Sequence, residues 1–268
     1  MSTQGLTFQA LAGNVMVKIP GNLEGLAAVK NLVALGCSIN VTFCFTVSQF
    51  QAAIKAIEDG KALARKTGVE TLSCKYVITL MIGRFACQPE FQLQANERGI
   101  RLSCEDERWA ELMIYQRVQN LVDASTAGIE TLLSSIKIDI LPNGRPYSWH
   151  LEKTGQGKTL YTLTPEVVDF LIARESHGNP VMPSTSIIRP PANIVNRLMQ
   201  IPYFTEAFLP DTTDPFDFNN HEAFINTWNE ASLAHRRLSD YCRMLCSKNH
   251  QLRPVLDSIL ASELGASI

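Results

Sequence analysis

A chain of 268 residues with 46% hydrophobic content has enough apolar material for a sizeable core. Its net charge of −2 excludes the basic field of a nucleic-acid binder and the polybasic patch of a membrane-surface protein. No run approaches the roughly 20 apolar residues of a membrane span, and Met1-Ser-Thr-Gln-Gly5 lacks the basic and apolar regions of a signal peptide. Seven cysteines without Cys-x-x-Cys spacing indicate neither a disulfide framework nor a zinc site, so the expectation is a cytoplasmic protein with reduced thiols.

The first element in chain order is a strand around Asn14-Val-Met-Val-Lys-Ile-Pro20, bounded by Gly13 and Pro20-Gly21. Alternation puts Met16 and Lys18 on one face and Val15, Val17 and Ile19 on the other. A lysine in so apolar a strand either reaches solvent from the strand end or is kept for chemistry. Burial would strip its hydration and favour the neutral amine that attacks carbonyls. Helical spacing of Leu26, Val29, Leu32, Val33 and Leu35 predicts a helix from Glu24 to Gly36. A second strand, Ile39 to Phe45, sets Asn40, Thr42 and Cys44 on one face. The next helix runs over residues 46–68, with Thr46 or Ser48 as N-cap and Gly68 as its stop.

Tyr76 to Ile82 reads as a third buried strand, with Thr79 and Met81 on one face and Gly83-Arg84 after it. Residues 85–104 read as loop, and Glu105 to Ala124 as a long amphipathic helix. Thr131 to Ile138 is the fourth predicted strand, with Ser135 and Lys137 sharing a face; Lys137 is either an exposed strand-end charge or a ligand-binding cation. Asp139 to Gly157 is polar and turn-rich. Thr159 to Thr164 is the fifth strand, and Pro165 opens a helix in the favoured first-turn position. From His177 to Pro191 a loop is expected, then helices around Ile194 to Met199 and His221 to Cys246. The aromatic residues Phe204, Phe208, Phe216, Phe218, Phe224 and Trp228 read as core. His150, His177, His221, His235 and His250 show no ligand spacing, so no metal site is expected.

The run Asn14-Val-Met-Val-Lys-Ile-Pro20, then Glu24-Gly-Leu-Ala-Ala-Val29 and Ser38-Ile-Asn-Val-Thr-Phe-Cys-Phe-Thr-Val-Ser-Gln-Phe50, closely resembles the transaldolase family. The resemblance covers residues 13–175 well and the remainder loosely. It implies that Lys18 forms a Schiff base with a ketose phosphate, with Asn40 and Thr42 on the next strand orienting sugar hydroxyls and water. It further implies substrate contacts from Thr79, Arg84, Ser135 and Lys137, with Arg84 and Lys137 at the phosphate. Thr79 stands where serine is commoner, and Met81 where an aromatic is. The implied reaction moves a dihydroxyacetone unit from sedoheptulose 7-phosphate or fructose 6-phosphate to an aldose phosphate, in the pentose phosphate pathway. No cofactor is implied, because the iminium is the electron sink. Alternatives are a Schiff-base aldolase that cleaves without transfer, and an inactive barrel fragment or subunit.

Alternating strands and helices argue a parallel α/β structure, and the resemblance implies that it is a (β/α) barrel of the TIM type. Only five units are present, corresponding by resemblance to strands four through eight, so the expected barrel is incomplete. The expected layout is one domain over 1–268, with a partial barrel in 1–176 and a loop and packing helices in 177–268. The acidic residues that the family carries on its first and third strands have no assignable counterpart. The expected partners are sugar phosphates, with no nucleic acid and no membrane. Homo-oligomerisation, or a chain that supplies the missing strands, completes the list.

Overall fold

The computed structural model describes residues 1–155, 159–182, 184, 189–209 and 221–248. In chain order the elements are α1 (Ser2–Gln9), β1 (Val17–Pro20), α2 (Leu23–Ala34), β2 (Ile39–Cys44), α3 (Val47–Thr67), β3 (Tyr76–Leu80), α4 (Ile82–Phe85), α5 (Pro89–Glu97) and α6 (Cys104–Ala124). They continue with β4 (Ile129–Leu133), β5 (Asp139–Ile140), β6 (Pro146–Tyr147), α7 (Trp149–Lys153), β7 (Thr159–Tyr161), α8 (Pro165–Ser176), α9 (Ala192–Leu198), α10 (Pro202–Phe208) and α11 (Glu222–Lys248). No helix among the described residues is long and apolar enough to cross a membrane.

Five strands pair in parallel in the order β1-β2-β3-β4-β7, each beside its predecessor in the sheet. Among the described residues the sheet is open, with β1 and β7 as its edges and no closed barrel. Register divides its two faces. Val17, Ile19, Ile39, Val41, Ile78 and Leu133 are buried on the face that carries the helices. Lys18, Asn40, Val77 and Glu130 align in one row across the opposite, inner face.

The helices start and stop as their ends dictate. Asn22 caps α2 by accepting from the Gly25 N–H at 2.9 Å. Thr46 and Gln49 form a reciprocal capping box on α3, and Gly68 closes that helix with φ +75°. Ser103 and Asp106 do the same for α6. The inward side of α3 is Phe50, Ala53, Ile54 and Ile57, and that of α6 includes Trp109, Leu112, Met113 and Val118, as periodicity predicts.

Several expectations are corrected. β1 begins at Val17 rather than Asn14. Residues 85–104 are not a loop: Pro89 starts α5, whose Phe91 and Ala95 are buried. The fourth strand is Ile129–Leu133, so Ser135 and Lys137 lie beyond it, in irregular chain. A β-hairpin (β5–β6) and α7 occupy much of the segment expected as turns, and β7 is shorter than predicted. Cys44 does not share the face of Asn40 and Thr42. A bulge puts Thr42 and Phe43 where one residue would fit, so Cys44 pairs with Leu80 and is buried on the helix side. α1 and α10 carry no clear sequence signal. Phe204 and Phe224 are core, while Trp228 is 38% exposed; Phe216, Phe218 and His250 lie outside the described residues.

Candidate active site

Lys18 sits on β1 in register with Asn40 on β2, and Pro20 with Thr42. Thr79 on β3 donates its hydroxyl to Asn40 Oδ1 at 2.7 Å. That bond fixes the amide, and Asn40 Nδ2 makes no hydrogen bond among the described residues. Its two N–H donors are thus available above the row that holds Lys18. Thr79 is buried and Thr42 nearly so, whereas Lys18 is exposed. Of the two readings open to Lys18, the structure shows the side chain reaching solvent. β1 is an edge strand, and nothing among the described residues covers Lys18 from the open side.

The strand ends are held by one buried side chain. Gln49 donates to the carbonyls of Gly21 at 3.1 Å and Phe43 at 2.9 Å, and accepts from the Phe45 N–H at 2.8 Å. It therefore ties the exit of β1 to the bulge of β2. Phe43 has φ +59°, a left-handed conformation that is uphill for a residue with a Cβ. The conformation aims its ring at α11, where it packs edge-on against Phe224 and Trp228 at 6.4 and 5.6 Å. Seen from β2, α11 is the cover.

After β3 the chain turns at once into α4, which carries Gly83 and Arg84. A Cβ on Gly83 would stand 1.7 Å from the Ser135 carbonyl oxygen and 3.1 Å from Lys137 Cγ, so only glycine permits this approach. Ser135 itself has φ +61°. The contact lays the stem of Lys137 against Gly83, the residue beside Arg84. Arg84 pairs with Glu230 of α11, and Gln88 meets Asn226 of α11 at 3.1 Å. A cleft of about 260 Å³ lies here, walled by Phe43, Met81, Ala231 and Ala234, with Arg84, Glu230 and Thr227 as its polar groups. The Thr227 hydroxyl is buried with no hydrogen-bond partner among the described residues.

The predicted residues thus form two clusters. Lys18, Asn40, Thr42 and Thr79 share the inner face; Arg84, Ser135 and Lys137 gather where α4 meets the end of β4. Three further residues were not anticipated. Glu230 and Thr227 come from a helix whose placement no local pattern encodes. Glu130 is the one carboxylate on the inner face of the described strands, in the row of Lys18 and about 14 Å along the sheet from it, at roughly 4.8 Å per strand. Its alternation with Ile129 and Thr131 was a readable signal, lost when the strand was drawn two residues late. A larger cavity of about 650 Å³ opens at the other ends of the strands, lined by Lys61, Arg65, Tyr76 and Glu130 among others. None of the seven predicted site residues reaches it.

The model of the Transaldolase/Fructose-6-phosphate aldolase family matches residues 1–180. The chain belongs to that family. Among curated proteins it is similar to "Transaldolase" of Arthrobacter sp. (strain FB24), 33% identical over 82 residues that make up 31% of this chain and 22% of that one. It is also similar to "Transaldolase" of Saccharopolyspora erythraea, 32% identical over 89 residues, 33% of this chain and 24% of the relative. With "Probable transaldolase" of Hyphomonas neptunium it shares 45% identity over 56 residues, 21% of this chain and 26% of that protein. The matched stretches therefore span about a quarter of the length of these transaldolases.

The seat of α11 on this transaldolase-family sheet holds a buried histidine. His221 is buried against Phe85 and Tyr203; its Nε2 donates to the Tyr203 carbonyl at 2.9 Å and its Nδ1 accepts from the Ala223 N–H. Burial pulls its pKa from 6.5 down to about 4, against the opposing pull of the Tyr203 carbonyl. The unfolded state takes up the proton first, so this stability is fully present above pH 6.5 and is lost as pH falls towards 4. The loss reaches on the order of 3 kcal/mol at 1.36 kcal/mol per unit. Thermal unfolding followed from pH 7 to pH 4 should show it, and His221→Gln, which keeps a donor for Tyr203, should flatten the slope. An unchanged slope in the variant would place the acid sensitivity elsewhere.

Proposed function

We propose that this chain carries the Schiff-base and phosphate-binding part of a transaldolase site. The observation that carries the reading is the registered row on the inner face, in which Lys18 stands beside an Asn40 amide oriented by Thr79. In this reading Lys18 Nζ attacks the ketone carbon of sedoheptulose 7-phosphate or fructose 6-phosphate. Water leaves, and the iminium accepts the electron pair released when the neighbouring carbon–carbon bond breaks. An aldose phosphate departs and the dihydroxyacetone unit remains on Lys18 as an enamine. Attack of that enamine on an acceptor aldose phosphate, then hydrolysis, frees the product and restores the lysine. Asn40 and Thr42 orient the sugar hydroxyls and water.

Arg84 and Lys137 hold the phosphate, with Ser135 beside them. The Glu230 carboxylate on Arg84 stands in for that anion and gives way to it. Proton transfer needs an acid that this cluster does not supply, and the barrel strands that would cover Lys18 come from outside the sheet, along its open β1 and β7 edges. They belong to a second chain or to another part of a longer polypeptide. The family description also admits an aldolase, which would release its product without an acceptor. Cleavage of fructose 6-phosphate with and without an acceptor aldehyde separates the two.

Trapping and substitution test this reading. Incubation with a ketose phosphate and borohydride should fix the added mass on the peptide that contains Lys18; attachment at Lys75 or Lys137 would end the assignment. Lys18→Met should leave stability within about 0.5 kcal/mol, as expected for an exposed side chain, while abolishing the adduct. Arg84→Ala and Lys137→Ala should each raise the Kd for phosphorylated sugars about ten-fold or more, since each charge-assisted bond contributes about 1.5–3 kcal/mol. Adduct formation with dihydroxyacetone should be spared, and Glu230→Gln should lower the same Kd by freeing Arg84. Equal losses for both substrate types would show that these cations support the fold and not the phosphate.

A further inference from the structure

Beneath the two cation-bearing segments lies a buried polar bridge that neither the sequence motifs nor the proposed chemistry uses. Glu111 of α6 and His150 of α7 are 1% and 0% exposed, far below what an ionisable pair tolerates without full hydrogen bonding. Glu111 Oε1 accepts from the Ala86 N–H at 3.3 Å, two residues past Arg84. Its Oε2 faces His150 Nε2 at 2.8 Å and pairs with Arg108, which in turn holds Asp139. His150 Nδ1 lies 3.1 Å from the Lys137 backbone N–H. A backbone amide can only donate, so Nδ1 is the acceptor, the ring proton sits on Nε2, and it points at the Glu111 carboxylate. Ser148, also fully buried, donates to the Lys137 carbonyl at 2.7 Å.

Both peptide groups of Lys137 are thereby clamped by the start of α7, and the chain leaving Arg84 is clamped by α6. One carboxylate joins the clamps. Gly83 and Ser135 already press the two segments together, and the bridge sets where each cation-bearing backbone stands relative to the other. We infer that His150 is a positioning residue for the phosphate site, and that its Nδ1–Lys137 bond fixes the direction from which Lys137 reaches the anion. This inference rests on the reading of Arg84 and Lys137 as phosphate ligands.

Two isosteres divide the ring's two bonds. His150→Asn places an oxygen where Nδ1 is, keeping an acceptor for Lys137. His150→Gln places an amide nitrogen where Nε2 is, keeping the donor for Glu111 and losing the Lys137 bond. Measured on the full chain by calorimetry, His150→Gln should weaken fructose 6-phosphate binding about three- to ten-fold, the span of one hydrogen bond. His150→Asn should stay within about two-fold of the parent. Borohydride trapping of dihydroxyacetone on Lys18 should be the same in both. Equal affinities in the two variants, or a loss shared by dihydroxyacetone, would overturn the inference. If His150→Gln does not fold, Ser148→Ala opens the same clamp from the carbonyl side and should weaken fructose 6-phosphate alone; unchanged affinity there would also overturn it. Lys137→Ala, measured in parallel, isolates the underlying reading. If it leaves fructose 6-phosphate binding intact, the phosphate assignment fails; if it weakens binding while His150→Gln does not, only the positioning role fails.

Discussion

The arrangement at the top of the sheet depends on the Gln49 amide. It is fully buried, and it satisfies the carbonyls of Gly21 and Phe43 and the N–H groups of Phe45 and Thr46 with one side chain. A bulge leaves backbone groups without ladder partners, and buried unpaired groups cost about 1–3 kcal/mol each. Gln49 absorbs that cost and holds Phe43 in its left-handed conformation. Three features follow from this: Thr42 stays on the inner face beside Pro20, Cys44 returns to the helix side, and the Phe43 ring becomes the seat of α11. The same glutamine completes the cap of α3, so the helix and the bulge cannot be varied independently.

From that fixed point the two clusters are built differently. The inner-face row is a consequence of strand register alone, because alternate residues on neighbouring parallel strands share a face. The cluster of Arg84, Ser135 and Lys137 is instead a packing product. Gly83 lets two backbones touch, the Glu111–His150 bridge secures them from below, and α11 closes them from above through Glu230, Asn226 and Phe224. Register gives the row its order but not its cover: Lys18 lies on an edge strand and remains exposed. An exposed parallel edge presents unpaired backbone groups ready for another strand, so the sheet's own geometry invites completion along β1 and β7.

How much of this was legible in the sequence follows from the same division. Alternation and helical period placed Lys18, Asn40, Thr42 and Thr79 on one face and the cores of α3 and α6 inward, because those signals are local. The bulge was not legible: Val41-Thr-Phe-Cys44 alternates well enough to read as a straight strand, and the extra residue is imposed by Gln49 from the next helix. The fourth strand was drawn too late because Ser134-Ser-Ile-Lys-Ile138 continues an apolar alternation past the real end at Leu133, where the close approach of Gly83 bends the chain. α5 reads as loop in the sequence because its polar residues outnumber Phe91 and Ala95, its only buried ones. Contacts of α11 with Arg84 cross 146 positions of sequence, and no pattern in either segment announces them.

The central claim is that an open five-stranded sheet holds the lysine and phosphate parts of a site that further strands must complete. Sedimentation of the purified chain together with its turnover of fructose 6-phosphate and an acceptor aldehyde tests it most directly. The account predicts self-association through the sheet edges and weak or absent turnover. A cooperatively folded monomer that turns over at an ordinary enzyme rate, roughly 1–1,000 per second, would contradict it.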